Sequence, residues 1–138
     1  MNNMKWHILI AAAGIFATVF AGPSASAAQV QTRKVSVSTI VEFGNTVQPA
    51  LIDQSNQINI ARIVQFGGGG TADAAIVQDG MRNDARVFQI GDTTNSLISQ
   101  LGENNTAYVR QIGHSTNSLI GQVGDLNTAG IRQFGEGN

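Results

Sequence analysis

The sequence has no cysteine and few charged residues, and both absences exclude classes of protein. Without cysteine, neither a disulfide framework nor a thiolate metal site can form. Charged residues make up 12% of the chain, and 8 Lys+Arg nearly balance 9 Asp+Glu, so we expect no nucleic-acid partner. Aromatic residues are scarce at 6%, whereas glycine reaches 16 residues. This composition favours short strands joined by tight turns over a helical bundle.

The N-terminus has the pattern of a secretory signal peptide. Lys5 precedes a largely apolar run, Ile8–Phe20, and Ala25–Ala27 has the small-residue form of a cleavage site. The run has about 13 residues, which is too short to span a bilayer as a helix. We therefore predict a signal peptide at 1–27 and a short N-terminal segment at 28–36 in a chain that is secreted.

The rest of the sequence is dominated by a glutamine that returns every 11 residues through the C-terminal half. Toward the N-terminus the spacing widens at Gly67–Gly70, which we interpret as an enlarged turn, and Glu42 stands where the next glutamine is expected. The recurring glutamines are Gln54, Gln65, Gln78, Gln89, Gln100, Gln111, Gln122 and Gln133. A glycine follows two residues after each of them except Gln54, and we interpret these as turn glycines: Gly67, Gly80, Gly91, Gly102, Gly113, Gly124 and Gly135.

The full repeat has 22 residues, because alternate halves carry different residues between their glutamines. Within each half the recurring residues lie two apart, so they share one face of a strand, whereas a helix would scatter them. Coils of two strands and two turns can stack with each residue about 4.7–4.9 Å from its counterpart. The sequence therefore predicts an all-β fold over residues 37–138: a cross-β solenoid of stacked strand–turn–strand coils with two facing parallel sheets.

Stacked coils would place like side chains in rows. One sheet is expected to hold Gln65, Gln89, Gln111 and Gln133, with a second amide row of Asn59, Asn83, Asn105 and Asn127. The other is expected to hold Gln54, Gln78, Gln100 and Gln122. Because a primary amide both donates and accepts, each row can form a continuous hydrogen-bond ladder, and an unpaired buried amide costs about 1–3 kcal/mol. We predict that these rows form a self-assembly ladder, the alternative being solvated surface residues.

Apolar rows are expected between the sheets, and small residues beside them let the sheets approach closely. The apolar rows are Ile52, Ile76, Ile98, Ile120 and Ile63, Val87, Val109, Ile131. The small residues are Ala61, Ala85, Ala107, Ala129, Ser96 and Ser118.

Other rows are expected to point outward. The apolar ones are Phe43, Phe66, Ile90, Ile112, Phe134 on one sheet and Leu51, Ala75, Leu97, Leu119 on the other. They either bind neighbouring filaments or a surface, or lie beneath the N-terminal segment. The charged side chains either slow premature stacking or form a plain solvated face: Arg62, Arg86, Arg110, Arg132, Asp53, Asp73, Asp79 and Asp84.

The spacing Ser/Thr/Asn-x5-Gln-x-Gly-x-x-Asn-x-Ala-x3-Gln is legible in Thr94–Gln111 and Thr116–Gln133, and it resembles the curlin repeat of bacterial curli fibre subunits. The resemblance implies a structural subunit rather than an enzyme, which polymerises into extracellular amyloid for cell adhesion and biofilm formation by a Gram-negative bacterium. It implies other curlin subunits and an outer-membrane secretion pore as partners, and no cofactor. The alternatives are a minor, nucleating curlin at the cell surface and a monomeric β-solenoid that binds glycans or surfaces.

Two further positions lead to expectations. His114 is predicted in a turn without an acidic partner, so we predict no catalytic or metal role for it. Asn138 would open another half-repeat, so we expect the C-terminal coil to present an uncapped edge.

Overall fold

The structure, a computed structural model, describes residues 16–20, 27–32, 37–44, 50–67 and 71–135. Within these ranges the regular structure is β-strand, and no helix is long and apolar enough to cross a membrane. Six parallel strands form sheet A, in the order β1 (Phe16–Phe20), β3 (Val37–Gly44), β5 (Ile60–Gly67), β7 (Asp84–Ile90), β9 (Thr106–Gly113) and β11 (Thr128–Gly135). Five form sheet B, in the order β10 (Ser115–Val123), β8 (Thr93–Glu103), β6 (Ala72–Met81), β4 (Ala50–Ser55) and β2 (Ala27–Thr32).

Consecutive strands alternate between the sheets, so each coil contributes one strand to each. Ile98 pairs with Ile120, which is 22 residues further along the chain. Ile52 pairs with Ile76 at a separation of 24, because two extra residues precede β6. This register confirms the predicted solenoid of 22-residue coils with two facing parallel sheets. The predicted enlarged turn falls on Gly68–Gly70, outside the described residues.

The core is a stack of apolar rows between the two sheets. Ile52, Ile76 and Ile98 are fully buried and face the row that contains Ile63 and Val87. Burying each aliphatic side chain contributes about 1.5–3 kcal/mol. The predicted alanines at 61, 85 and 107 are buried as well, and their small size lets the sheets pack closely. At the C-terminal edge, where no further coil covers them in the described ranges, the side chains at 129 and 131 are only partly buried.

The turns that lead from sheet B to sheet A contain a residue that the sequence analysis did not single out. Ile58, Arg82, Asn104 and Leu126 occupy equivalent positions and have φ of 54°, 57°, 58° and 60°. This left-handed conformation suits asparagine and is strained for most other side chains, above all a β-branched isoleucine. Four successive coils therefore share a left-handed turn position that is independent of their glycines, and it is strained where the residue is not asparagine.

The two N-terminal strands extend the sheets edge to edge. β1 pairs with β3, and β2 pairs with β4. β1 lies within the predicted signal peptide and β2 largely within the predicted 28–36 segment. Removal of the chain up to residue 27 stays a prediction; without β1, each sheet would hold five strands, one per coil.

Candidate functional site

Two columns of glutamine side chains run through the interior, one in each sheet. In sheet B, the Nε2 of Gln54, Gln78 and Gln100 each donates to the Oε1 of the next glutamine at 2.7 Å. In sheet A, the corresponding bonds run from Gln65 to Gln133 through Gln89 and Gln111 at 2.8, 2.8 and 2.9 Å. All of these side chains except that of Gln133 are buried, so the bonds form away from competing water.

Five of the glutamines, from Gln89 to Gln133, also join the two sheets. The Nε2 of Gln100 in β8 donates a second hydrogen bond to the backbone carbonyl of Asp84 in β7 at 3.3 Å. The Nε2 of Gln111 in β9 donates likewise to the carbonyl of Asn95 in β8 at 3.2 Å. Both N–H groups of an interior amide are therefore used, one along the stack and one across it. A neutral amide of this length is the side chain that meets both demands.

The columns have a direction, because every inter-glutamine bond is donated toward the C-terminal coil. At that end the Nε2 groups of Gln122 and Gln133 bond across the stack at 3.1 and 3.0 Å, and no further glutamine in the described ranges accepts from them. At the other end the Oε1 atoms of Gln54 and Gln65 accept no hydrogen bond. The C-terminal edge thus presents amide donors, whereas the unpaired acceptors of Gln54 and Gln65 lie one strand inside the N-terminal edge, next to β2 and β3.

Glu42 occupies the glutamine position next to Gln65 in sheet A. Its side chain is buried, its Oε1 accepts the Ala50 N–H at 3.2 Å, and its Oε2 has no partner. Burial raises the pKa of this carboxyl from 4.5 to about 7, although the hydrogen bond from Ala50 acts in the opposite direction. A protonated Glu42 can donate to the unpaired Oε1 of Gln65, whereas a carboxylate cannot.

The asparagine row is bonded differently from the glutamine columns. The Oδ1 of Asn59 accepts the backbone N–H of Asn83 at 3.1 Å, and the same contact joins Asn83 to Asn105 and Asn105 to Asn127. Each Nδ2 donates to the backbone carbonyl four residues earlier, as from Asn59 to Ser55 at 2.7 Å. The asparagines therefore fix the turns and link successive coils through the backbone rather than through one another's amides.

The predicted turn glycines lie where the coils come closest. A Cβ added to Gly102 would overlap the carbonyl oxygen of Gly124, and one added to Gly91 would overlap that of Gly113. Both glycines also have positive φ, 122° and 149°. Positive φ is shared by the residues at 80, 113, 124 and 135, whereas the glycine at 67 ends β5 opposite that at 44. At positions 80, 91, 102 and 113 glycine is thus required by the stacking as well as by the turn, whereas at 124 and 135 only the positive φ favours it.

His114 has an acidic partner, so the prediction that it lacks one is wrong. Its Nδ1 lies 2.8 Å from the Oδ2 of Asp92, in the turn of the preceding coil. The two residues are 22 apart, so the repeat itself places one above the other. Among the described residues, no group of three or more His, Cys, Asp or Glu side chains could hold a metal ion.

Four buried hydroxyl groups in sheet B have no hydrogen-bond partner. They belong to Thr94, Ser96, Thr116 and Ser118, which lie in the columns of small residues beside the isoleucine row. A buried polar group without a partner costs about 1–3 kcal/mol. The serines act here as small side chains, in the same column as alanine in β4 and β6.

Comparison with known proteins identifies the repeat. The family model for the curlin associated repeat matches twice, at residues 80–113 and 102–135. No curated protein and no solved structure matches the chain. The two matched segments overlap at residues 102–113, about half a coil, and together they contain the most regular part of both glutamine columns. Residues 80–135 of the chain therefore consist of curlin associated repeats, as the spacing of the glutamines predicts.

Proposed function

We propose that the chain is a structural subunit that polymerises with itself into extracellular curli-type amyloid fibres, which serve cell adhesion and the biofilm matrix. The proposal rests on the directional glutamine columns, which end in amide donors at the C-terminal edge. Gln122 and Gln133 of one subunit would donate to the side chains at the glutamine positions of β2 and β3 in the next subunit. The columns would then continue through the fibre.

The backbone supports the same head-to-tail arrangement. β10 and β11 are the last strands of their sheets, and no strand in the described ranges pairs with their outer edges. Such edges recruit further strands. If residues up to 27 are removed, β2 and β3 become the first strands. β2 of one subunit could then pair with β10 of another, and β3 with β11. Each junction would pair two strand edges and align both side-chain columns at once.

Secretion and partners belong to the same proposal. The predicted signal peptide and the curlin associated repeat support export and a location at the surface of a Gram-negative cell. An outer-membrane secretion pore and other curlin subunits are the partners that such a path requires. Regular C-terminal coils favour a major, polymerising subunit over a minor nucleator, because regular edges template further identical coils.

Seeded polymerisation tests the proposal. The chain from Ala28 onward is compared with a Gln122→Glu/Gln133→Glu variant. This variant keeps the side-chain oxygens that accept from Gln100 and Gln111 but removes the terminal Nε2 donors. The control, Asn95→Asp/Asn117→Asp, adds the same charge to an exposed amide pair that hydrogen-bonds at 3.0 Å on the outside of sheet B. We expect the terminal variant to elongate at least about tenfold more slowly than wild type and control, because each lost hydrogen bond contributes about 0.5–1.5 kcal/mol.

Thioflavin fluorescence and fibre diffraction provide the readout. Wild-type fibres should show the meridional spacing of about 4.7–4.8 Å that stacked strands produce. A wild-type chain that remains monomeric and thioflavin-negative for days would contradict the proposal and favour a monomeric solenoid that binds a glycan or a surface. Equal elongation rates for the two variants would show that the terminal amides are not the growing contacts.

A further inference from the structure

The charged side chains of the strands are sorted by sheet. The outer surface of sheet A carries one exposed arginine on each of β5, β7, β9 and β11: Arg62, Arg86, Arg110 and Arg132. Asp84 is the one outward carboxylate on the described strands of this sheet, and it pairs with Arg86 at 2.7 Å. We call this surface the arginine face; its charge is positive.

The outer surface of sheet B has the opposite charge. Asp73 and Glu103 are exposed there, and Asp53 and Asp79 are half-buried. The described strands of sheet B contain neither lysine nor arginine. We call this surface the aspartate face. Because the two sheets pack back to back, a filament carries positive charge along one side and negative charge along the other.

Both faces also expose apolar side chains. Phe43, Phe66 and Phe134 are exposed on the arginine face, and Leu97 and Leu119 are exposed on the aspartate face. The N-terminal strands β1 and β2 extend the sheets edge to edge and do not lie across either face. Within the described residues both faces are therefore uncovered, and each offers apolar surface together with a single sign of charge.

The aspartate face contains a groove that suits an arginine side chain. Asp73, Asn95 and Asn117 form one side of the groove, and Leu97 and Leu119 form the other. The apolar side can pack against the methylene stem of an arginine, while the Asp73 carboxylate accepts hydrogen bonds from its guanidinium group. The arginine face of another filament presents arginines at the spacing of successive strands.

We propose that filaments of this chain associate laterally, with the arginine face of one against the aspartate face of the next. This proposal rests on the proposed polymerisation. Paired filaments always leave one arginine face and one aspartate face free, so the contact is heterologous and does not close. Association therefore does not stop at a pair of filaments but continues into bundles of filaments.

Charge reversal tests the proposal on fibres of the full chain. The first variant, Arg62→Glu/Arg110→Glu/Arg132→Glu, makes both faces negative. The second, Asp53→Lys/Asp73→Lys/Glu103→Lys, makes both faces positive, and a third combines all six changes. Electron microscopy counts the fraction of filaments in lateral contact, while thioflavin fluorescence and fibre diffraction report separately whether filaments form.

Wild-type bundling is expected to fall at least about tenfold between about 0.01 M and about 1 M sodium chloride, because the Debye length shortens from about 30 Å to about 3 Å. At low salt, filaments of the first and second variants should stay single when alone and bundle when mixed. The combined variant, whose faces are both reversed, should bundle as wild type does. Restored bundling is a result that damage to the fold cannot produce.

Three outcomes would overturn the proposal: wild-type bundling that is insensitive to salt, variants that bundle alone as readily as wild type, and filaments that bundle only when a polyanion such as polyphosphate is added. The last would assign the arginine face to an anionic polymer. Absence of filaments in the wild type would refute the proposed function itself, whereas single filaments without bundles would refute the lateral contact alone.

Discussion

Replacing Glu42 with glutamine is expected to stabilise the protein at neutral and alkaline pH and to remove part of its pH dependence. In the wild type, the buried Oε2 of Glu42 and the Oε1 of Gln65 both lack a hydrogen-bond partner. The amide of the Glu42→Gln variant can accept the Ala50 N–H as the carboxylate does, and its Nε2 can donate to Gln65. The glutamine column of sheet A would then begin at residue 42.

The magnitude follows from the pKa of Glu42, which is about 7 in the folded chain against 4.5 for an ordinary glutamate. Because the folded state binds the proton more tightly, the stabilising contribution of Glu42 is complete below about pH 4.5, falls as the pH rises, and is lost above about pH 7. At 1.36 kcal/mol per pKa unit, the loss amounts to about 3 kcal/mol. The glutamine variant carries no such dependence.

Guanidinium unfolding curves followed by circular dichroism, at about pH 4 and about pH 8, measure this difference by linear extrapolation. Other carboxyl groups titrate over the same range, so the informative quantity is the pH effect in wild type minus that in the variant. Asp73→Asn, which removes an exposed carboxylate from the same chain, is the control and should retain the wild-type effect. An equal pH effect in wild type and Glu42→Gln would refute the argument.

Four further substitutions, one of them a control, test other parts of the structure by the same unfolding measurement. Gly102→Ala should destabilise the chain by at least about 2 kcal/mol, because its Cβ would overlap a carbonyl of the next coil. Gly121→Ala is the control: its Cβ would meet nothing within 4 Å, so stability should change by less than about 0.5 kcal/mol. Ser96→Ala should stabilise the chain by about 1 kcal/mol because it removes a buried hydroxyl without a partner, and a loss of stability would indicate an unseen partner. Ile58→Asn should also stabilise by about 1 kcal/mol, because φ of 54° suits asparagine, and a loss would argue against strain there.

The coil, its register and its inward rows could be predicted because the evidence for them is repetition itself. A strand alternates faces every residue, so positions two apart share a face, and a period of 22 puts each residue beside its counterpart. The pairing of Ile98 with Ile120 could be predicted without knowledge of loops or long-range contacts. Prediction was weaker wherever a coil departs from the repeat, as at Glu42, where the consequence of a carboxyl depends on the neighbouring Gln65 and on burial.

Other features were within reach of the sequence but were missed. His114 and Asp92 are 22 residues apart, so the period alone could have paired them. The sorting of charge by face follows from whether each residue lies in a strand of sheet A or sheet B. Residue type alone groups Arg62 and Asp73 together as outward charged positions. The strained position at Leu126 carries no residue-type signal, because asparagine occurs there in one coil only.

The sequence by itself determined the class of fold, the 22-residue coil and which residues stack on which, because in a solenoid neighbours in space are neighbours by period. Only the tertiary structure decided the direction of the glutamine hydrogen bonds, the distinct backbone bonding of the asparagines and the unpaired oxygens at Glu42 and Gln65. These depend on the opposing sheet: an amide that donates along the stack is oriented by the carbonyl that accepts its second N–H from across the core. No spacing within one strand encodes that partner.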